Sequence, residues 1–235
     1  MNKQTTVRGV AAAAAALSLA LAGCGSDTKS ETDSSAEETT TTSETAAAAE
    51  TTTAAAAPVP ADGNYTIAEY IKDNNITEAQ VKHGDPNAPK VNLPVLPGWV
   101  DAGPGTPAWA FSQIVFTDPS TPPPPPTITT IMSKLTGNVD GAKILEFAPG
   151  ELKNLPEYDG GNDGQPGKLG GFDAVQVGGT YVNDGKKLLV AQKTTIIPTD
   201  GGVFVLQINA QGTEEQMGPL MDATAAIDDQ TTILP

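Results

Sequence analysis

A break in composition near residue 60 decides where this chain of 235 residues can fold. From Gly25 to Pro60 the sequence is almost entirely Thr, Ala, Ser, Glu and Pro, with no aromatic residue and hardly a branched aliphatic one. Such a stretch cannot bury enough apolar surface to offset the entropy of ordering its backbone. Residues 24–61 therefore read as a disordered tether, and their Thr/Pro-rich makeup suits O-glycosylation of the mucin-stalk kind. From about Asp62 to Pro235, apolar runs alternate with Gly/Pro turns over a length sufficient for one domain with its own core.

Ahead of the break, residues 1–23 have the order of a bacterial export signal. Lys3 and Arg8 supply the positive start, Val10 to Leu21 is built almost wholly from Ala and Leu, and Leu21-Ala22-Gly23-Cys24 closes it. The apolar stretch is shorter than the roughly 18–20 residues of a membrane-spanning helix. Small residues before a cysteine admit a lipoprotein signal peptidase, so Cys24 is the expected lipidation site. It is also the only cysteine, so no internal disulfide is open to it. A diacylglyceryl anchor carries two chains, enough for stable attachment where one would be marginal. These features place the chain on the outer, extracytoplasmic face of the cell membrane.

The formal charge is −15, and cleavage before Cys24 removes Lys3 and Arg8 to leave −17. Arg8 is the only arginine. An acidic chain without arginine is a poor nucleic-acid binder, because phosphate contacts need clustered Lys and Arg. Anionic headgroups repel it as well, so membrane contact falls to the acyl chains.

Within the domain, Thr66-Ile67-Ala68-Glu69 has the capping-box pattern and predicts a short helix ending near Asn74-Asn75. Ile76 to Lys82 and Lys90 to Val95, around Asp85-Pro86-Asn87, read as a hairpin. Trp109 to Phe116 and Thr127 to Leu135 read as strands joined by the stiff run Pro122 to Pro126. Residues 140–154 carry an apolar helical stripe, with a kink or a break into two helices expected at Pro149. After a Gly/Asn/Asp-rich loop at 159–168, strands are expected at Phe172 to Val177, Lys187 to Ile197 and Val203 to Asn209. An amphipathic helix follows from Thr213 to Asp229, its first turn in doubt at Pro219. The pattern is α+β: an antiparallel sheet flanked by helices, since too few crossover helices exist for a parallel one.

Catalytic chemistry is hard to place. The only histidine, His83, sits beside a turn, and the domain's serines are Ser112, Ser120 and Ser133, none in a G-x-S-x-G elbow. One histidine and no cysteine do not make a zinc site. Asp159-Gly160-Gly161-Asn162-Asp163-Gly164 offers oxygen ligands for calcium but lacks the EF-hand spacing and its closing Glu, and a glycine-rich turn explains it without metal. Gly167-Lys168 fails the P-loop pattern twice, at Asn162 and Leu169. Glu146 with Glu151, and Asp228 with Asp229, read as solvated helix faces rather than glycosidase pairs. No cofactor is implied. The scarce aromatics gather instead: Trp99, Trp109 and Phe111, with Met132 on the next strand, are candidates to line an apolar ligand pocket, although ordinary core would also account for them.

Several longer segments carry a resemblance. Tyr65-Thr66-Ile67-Ala68-Glu69-Tyr70-Ile71, Lys134-Leu135-Thr136-Gly137, Phe147 to Pro156, Leu169-Gly170-Gly171-Phe172, Ala191-Gln192-Lys193-Thr194 and Met221-Asp222-Ala223 together resemble the LpqN/LpqT-type lipoproteins of mycobacteria, from about Tyr65 to the end. That resemblance implies a Mog1/PsbP-like α/β/α sandwich with no catalytic signature. It also implies a place in the cell envelope, with links to MmpL-type transporters and trehalose mycolate glycolipids. Fold alone fixes no function. The expectation is a monomeric, non-enzymatic lipoprotein that binds a glycolipid or an envelope transport protein. The alternatives are a protein-interaction adaptor without a small ligand and, more remotely, a carboxylate-dependent hydrolase.

Overall fold

The computed structural model describes residues 63–161 and 163–235. Cys24, the signal segment and the tether expectation lie outside the described residues, as does Asn162. Three helices and eleven strands follow in the order α1 (Ile67–Asp73), β1 (Thr77–Gln80), β2 (Lys90–Asn92), β3 (Trp99–Asp101), β4 (Ser112–Phe116), β5 (Thr127–Thr136), α2 (Gly141–Lys153), β6 (Asp159–Gly160), β7 (Gln165–Leu169), β8 (Phe172–Asn183), β9 (Lys186–Thr199), β10 (Gly202–Gly212), α3 (Met217–Gln230) and β11 (Thr232–Leu234).

The main sheet runs β3-β4-β5-β10-β9-β8-β6, with β1 added along β5 and β7 along β8, and every pairing in it is antiparallel. Its long strands are two-faced. In β10 the residues Phe204, Leu206, Ile208 and Ala210 point one way and pack with Ile128 and Met132 of β5 and Ile197 of β9, under Leu220, Ala223 and Ile227 of α3. Val205 points the other way and meets Leu135 of β5, Val175 of β8, Ile144 and Ala148 of α2, and Ile67 and Tyr70 of α1. Strand side chains alternate between faces with a period of two, so one sheet supports two cores. The fold is α+β, a largely antiparallel sheet covered by α3 on one face and by α1 and α2 on the other.

The start of α1 is fixed as expected. Thr66 Oγ1 accepts from the Glu69 backbone N–H at 3.3 Å, and Glu69 Oε2 accepts from the Thr66 N–H at 2.7 Å. The helix Gly141–Lys153 is one continuous element, not two short ones. Asp140 caps it through Ala142 N–H at 2.9 Å. Pro149 is buried along with Ile144, Ala148, Gly150 and Leu152, so the face that packs on the sheet carries the helix past the lost hydrogen bond. At the last helix, Glu214–Gln216 forms a 3-10 turn before α3, which places Pro219 within the first α-helical turn. A missing N–H is tolerated there.

Two other expectations give way. The arms around Asp85-Pro86-Asn87 do not pair with each other. The turn exists, with Asp85 Oδ2 accepting from the Lys82 N–H at 2.7 Å, but β1 lies along β5 and β2 pairs with β11 in a separate two-stranded sheet. Residues 159–168 are not simply a loop, because β6 and β7 both pair with β8. Glycine permits the first pairing: a Cβ on Gly160 would stand 2.5 Å from Gly178 O, and one on Gly179 2.5 Å from Asp159 O. The residues that suggested a metal loop thus serve close backbone approach.

Candidate functional site

Two concave regions open on opposite faces of the sheet. The larger, a groove of about 490 Å³, lies between the edge strand β3 with its neighbour β4 and the irregular segment that follows β2. Trp99 of β3 pairs in register with Phe116 of β4, and Ile114 opposes Ile128 of β5. This register turns Ile114 and Ile128 to one face. Trp99 and Phe111, both buried, form one wall with Ile114. Val91, Leu93 and Leu96 form the other. The polar members of the lining are His83, Asp101, Thr106 and Ser112. The His83 ring sits 5.3 Å from that of Phe111. Val95 also lines the groove and is 98% exposed, so its isopropyl group stands free at the rim.

The four aromatic and Met candidates separate in space. Trp99 and Phe111 line the groove. Met132 has no exposed surface and belongs to the core alongside them. Trp109 does not line the groove and is 45% exposed. Its backbone belongs to a turn in which Ala110 N–H donates to Pro107 O at 2.9 Å, so β4 begins at Ser112 and not at residue 109. The side chains of Lys82 and Gln80 donate to the carbonyls of Ala108 and Trp109 and hold that turn in place. The residues composition did not point to, Val91, Leu93 and Leu96, come from a segment whose only regular element is the three-residue β2.

The second region is a cleft of about 80 Å³ between α1, α2 and the opposite face of the sheet. Glu151 turns inward here, where a solvated helix face was expected. Its Oε2 accepts from Gln192 Nε2 at 2.9 Å and from Gln207 Nε2 at 2.7 Å. Burial pushes its carboxyl above the usual carboxylate range. The two amide donors oppose that shift, and the charge of Glu78 adds to it. Glu146 lies on the outer face of α2 and pairs with Lys143 at 2.7 Å, so the two carboxylates of α2 do not converge. Asp228 of α3 forms an ion pair with Lys193 of β9. Among the described residues, no three His, Cys, Asp or Glu side chains gather where a metal ion could be held. None of the described helices is long and apolar enough to cross a membrane.

These features define a class of α+β domain: an antiparallel sheet covered by helices on both faces, with an open groove at one edge. The family model described as probable lipoprotein LpqN matches residues 63–234, and the chain belongs to that family. It is 52% identical over 175 residues to lipoprotein LpqN of Mycobacterium tuberculosis, covering 74% of this chain and 76% of that protein. Its fold is similar to the crystal structure of LpqN involved in cell envelope biogenesis of Mycobacterium tuberculosis. There the TM-score is 0.69 at 53% identity, covering 73% of this chain and 99% of that one.

Proposed function

We propose that this chain is an envelope lipoprotein, held by lipid at Cys24 on the outer face of the cell membrane. Its domain binds the acyl portion of an envelope glycolipid, of the trehalose mycolate kind, in the groove beside Trp99. The reading is non-enzymatic. It places the protein in envelope lipid transport, as a carrier or presenter for an MmpL-type transporter. A tether at 24–61 would hold the domain near the membrane and raise its effective concentration there.

One observation carries this reading: an open groove of about 490 Å³ lined mostly by apolar side chains, with four polar ones among them. Such a shape suits an amphiphile, with the chain along Trp99, Phe111 and Leu93 and the headgroup at Asp101, Thr106 and Ser112. Native mass spectrometry of the chain purified from its envelope tests it. Co-purifying lipid, lost when Leu93 is replaced by Glu and retained in Trp109→Ala, supports the groove. A mass with no lipid beyond the covalent anchor at Cys24, with no melting shift from added trehalose glycolipid, refutes it.

A second reading, a protein adaptor, is favoured by Met217 and Met221, one turn apart on α3 and 45% and 62% exposed. Flexible thioethers on an outer helix face suit a partner surface. Crosslinking in the native envelope separates the two.

A further inference from the structure

On the face of the sheet away from the groove, the Glu151 cleft has the makings of an independent site. Its walls are apolar, with Ile71 of α1, Ile131 of β5 and Val205 of β10 among them. Its polar groups are few and converge: Glu151 at the buried end, Ser133 and Gln207 from the sheet, and Glu78, which is exposed at the mouth. Glu151 Oε2 is occupied by two amides, whereas its Oε1 has no hydrogen-bond partner among the described residues. Gln192 is 4% exposed and donates to that carboxylate, yet its own Oε1 has no partner. Thr194 Oγ1, on the same face of β9, has none either. Gln192 Oε1 is thus a buried acceptor without a donor, and Thr194 Oγ1 a hydroxyl free to donate or accept. A positively charged group with several donors would complement Gln192 Oε1 and the Glu151 carboxylate.

We propose that this cleft binds a primary ammonium group carried on a short apolar stem, with the Glu151 carboxylate as its charge partner and Glu78 guarding the entrance. An ammonium supplies three donors and accepts nothing. Its methylenes match the isoleucine and valine walls, and its charge is a compact point rather than a planar fork. At about 80 Å³ the cleft has room for a few heavy atoms and none for a sugar ring pair. Residues 63–235 carry ten lysines against twenty acidic residues, a field of net −10 that steers cations toward the mouth.

Binding should be coupled to proton release, because burial raises the proton affinity of the Glu151 carboxyl and an ammonium partner opposes that shift. The lining groups that face it are Ile67, Ala68 and Ile71 from α1, none of which titrates, Glu78 from β1, and Ser133 and Gln207 from β5 and β10, with Gln192 from β9 against the carboxylate. Glu78 is thus the only other titrating group in the lining.

Calorimetry of the full chain with n-butylammonium, in two buffers of different ionisation enthalpy, tests the idea. The expected result is saturable binding with net proton release and an affinity that rises with pH, while n-butanol fails to compete. Glu151→Gln should abolish binding and Glu78→Gln weaken it several-fold. Leu93→Glu, in the groove, should leave it unchanged. Tighter binding of Nα-acetyl-lysine amide than of phosphoethanolamine would assign the ammonium to a protein side chain, and the reverse order to a lipid headgroup. Equal binding of n-butanol, or binding that survives in a folded Glu151→Gln chain, would overturn the proposal. So would the absence of any heat with unmoved side-chain amide signals of Gln192 and Gln207; the cleft would then hold only Glu151 paired with Gln192 and Gln207.

Discussion

Replacing Glu151 separates what its charge does from what its oxygen does. In the folded state the carboxyl is pushed up by burial and by Glu78, so the folded protein holds a proton that the unfolded chain releases at lower pH. The stability linked to that proton is fully present below the unfolded value and is lost as pH rises through the folded one. Glu151→Gln keeps a carbonyl oxygen for Gln192 and Gln207 and cannot ionise. It should therefore unfold at or above the parent temperature near neutral pH, and the gap should close at acidic pH. Glu151→Ala leaves both amide donors without their acceptor. At roughly 1–3 kcal/mol per stranded buried group, and with Gln207 less deeply buried than Gln192, the loss is about 2–4 kcal/mol. For a domain of this size that is a fall of about 5–15 °C in Tm. Thermal unfolding of parent, Gln and Ala chains at several pH values gives the answer. The reasoning fails if Gln is as damaging as Ala, or if the Gln-to-parent gap is the same at acidic and neutral pH.

Other substitutions probe the rest of the fold. Gly150→Ala would ordinarily favour a helix by about 1 kcal/mol. Here the new Cβ would stand 2.1 Å from Tyr65 O, so Tm should fall, and a rise would contradict the α1–α2 packing. Gln216 is 2% exposed, donates from Nε2 to Pro122 O and Pro124 O at 2.9 Å each, and accepts from the Thr213 N–H at 2.9 Å. Gln216→Ala should cost about 1–3 kcal/mol in denaturant unfolding and increase proteolysis at the proline run. Met132→Ala, at a site with no exposed surface, should cost about 2–5 kcal/mol by cavity formation, read from the urea midpoint. Cys24→Ser should move the protein from the membrane fraction to the soluble one in its native host, while the purified chain keeps its melting temperature.

The sheet was legible because its signal is local. The runs at Phe172, Lys187 and Val203 alternate with a period of two and end at Gly or Asn turns, and all three are found, each longer than expected. The capping box at Thr66 was equally readable, since both partners lie within four residues. The failures were questions of long-range choice. Nothing local tells Lys90–Asn92 to pair with Thr232–Leu234, some 140 residues away, rather than with the strand just before its turn. Pro149 suggests a kink or a break because proline weakens a helix locally, and the burial that carries the helix past it comes from the sheet.

The same distinction governs the two sites. Aromatic scarcity led to Trp99 and Phe111, which do line the groove, and also to Trp109, which does not. Sequence proximity cannot say on which side of a turn an indole emerges, and Pro107 turns the chain just before it. Glu151 was passed over as a solvated residue even though a signal was present. It lies three residues after Ala148 and seven after Ile144, on the stripe of α2 that faces the sheet. A carboxyl on an apolar helical stripe is costly unless partners await it. The partners, Gln192 and Gln207, sit on strands 41 and 56 residues further on, each at a position that shares its strand's face with core residues. Three polar residues at inward positions on three separate elements are expensive one by one. Their conjunction is what turns a stability cost into a candidate site, and it becomes visible only when the helix stripe and the strand alternation are brought into one register.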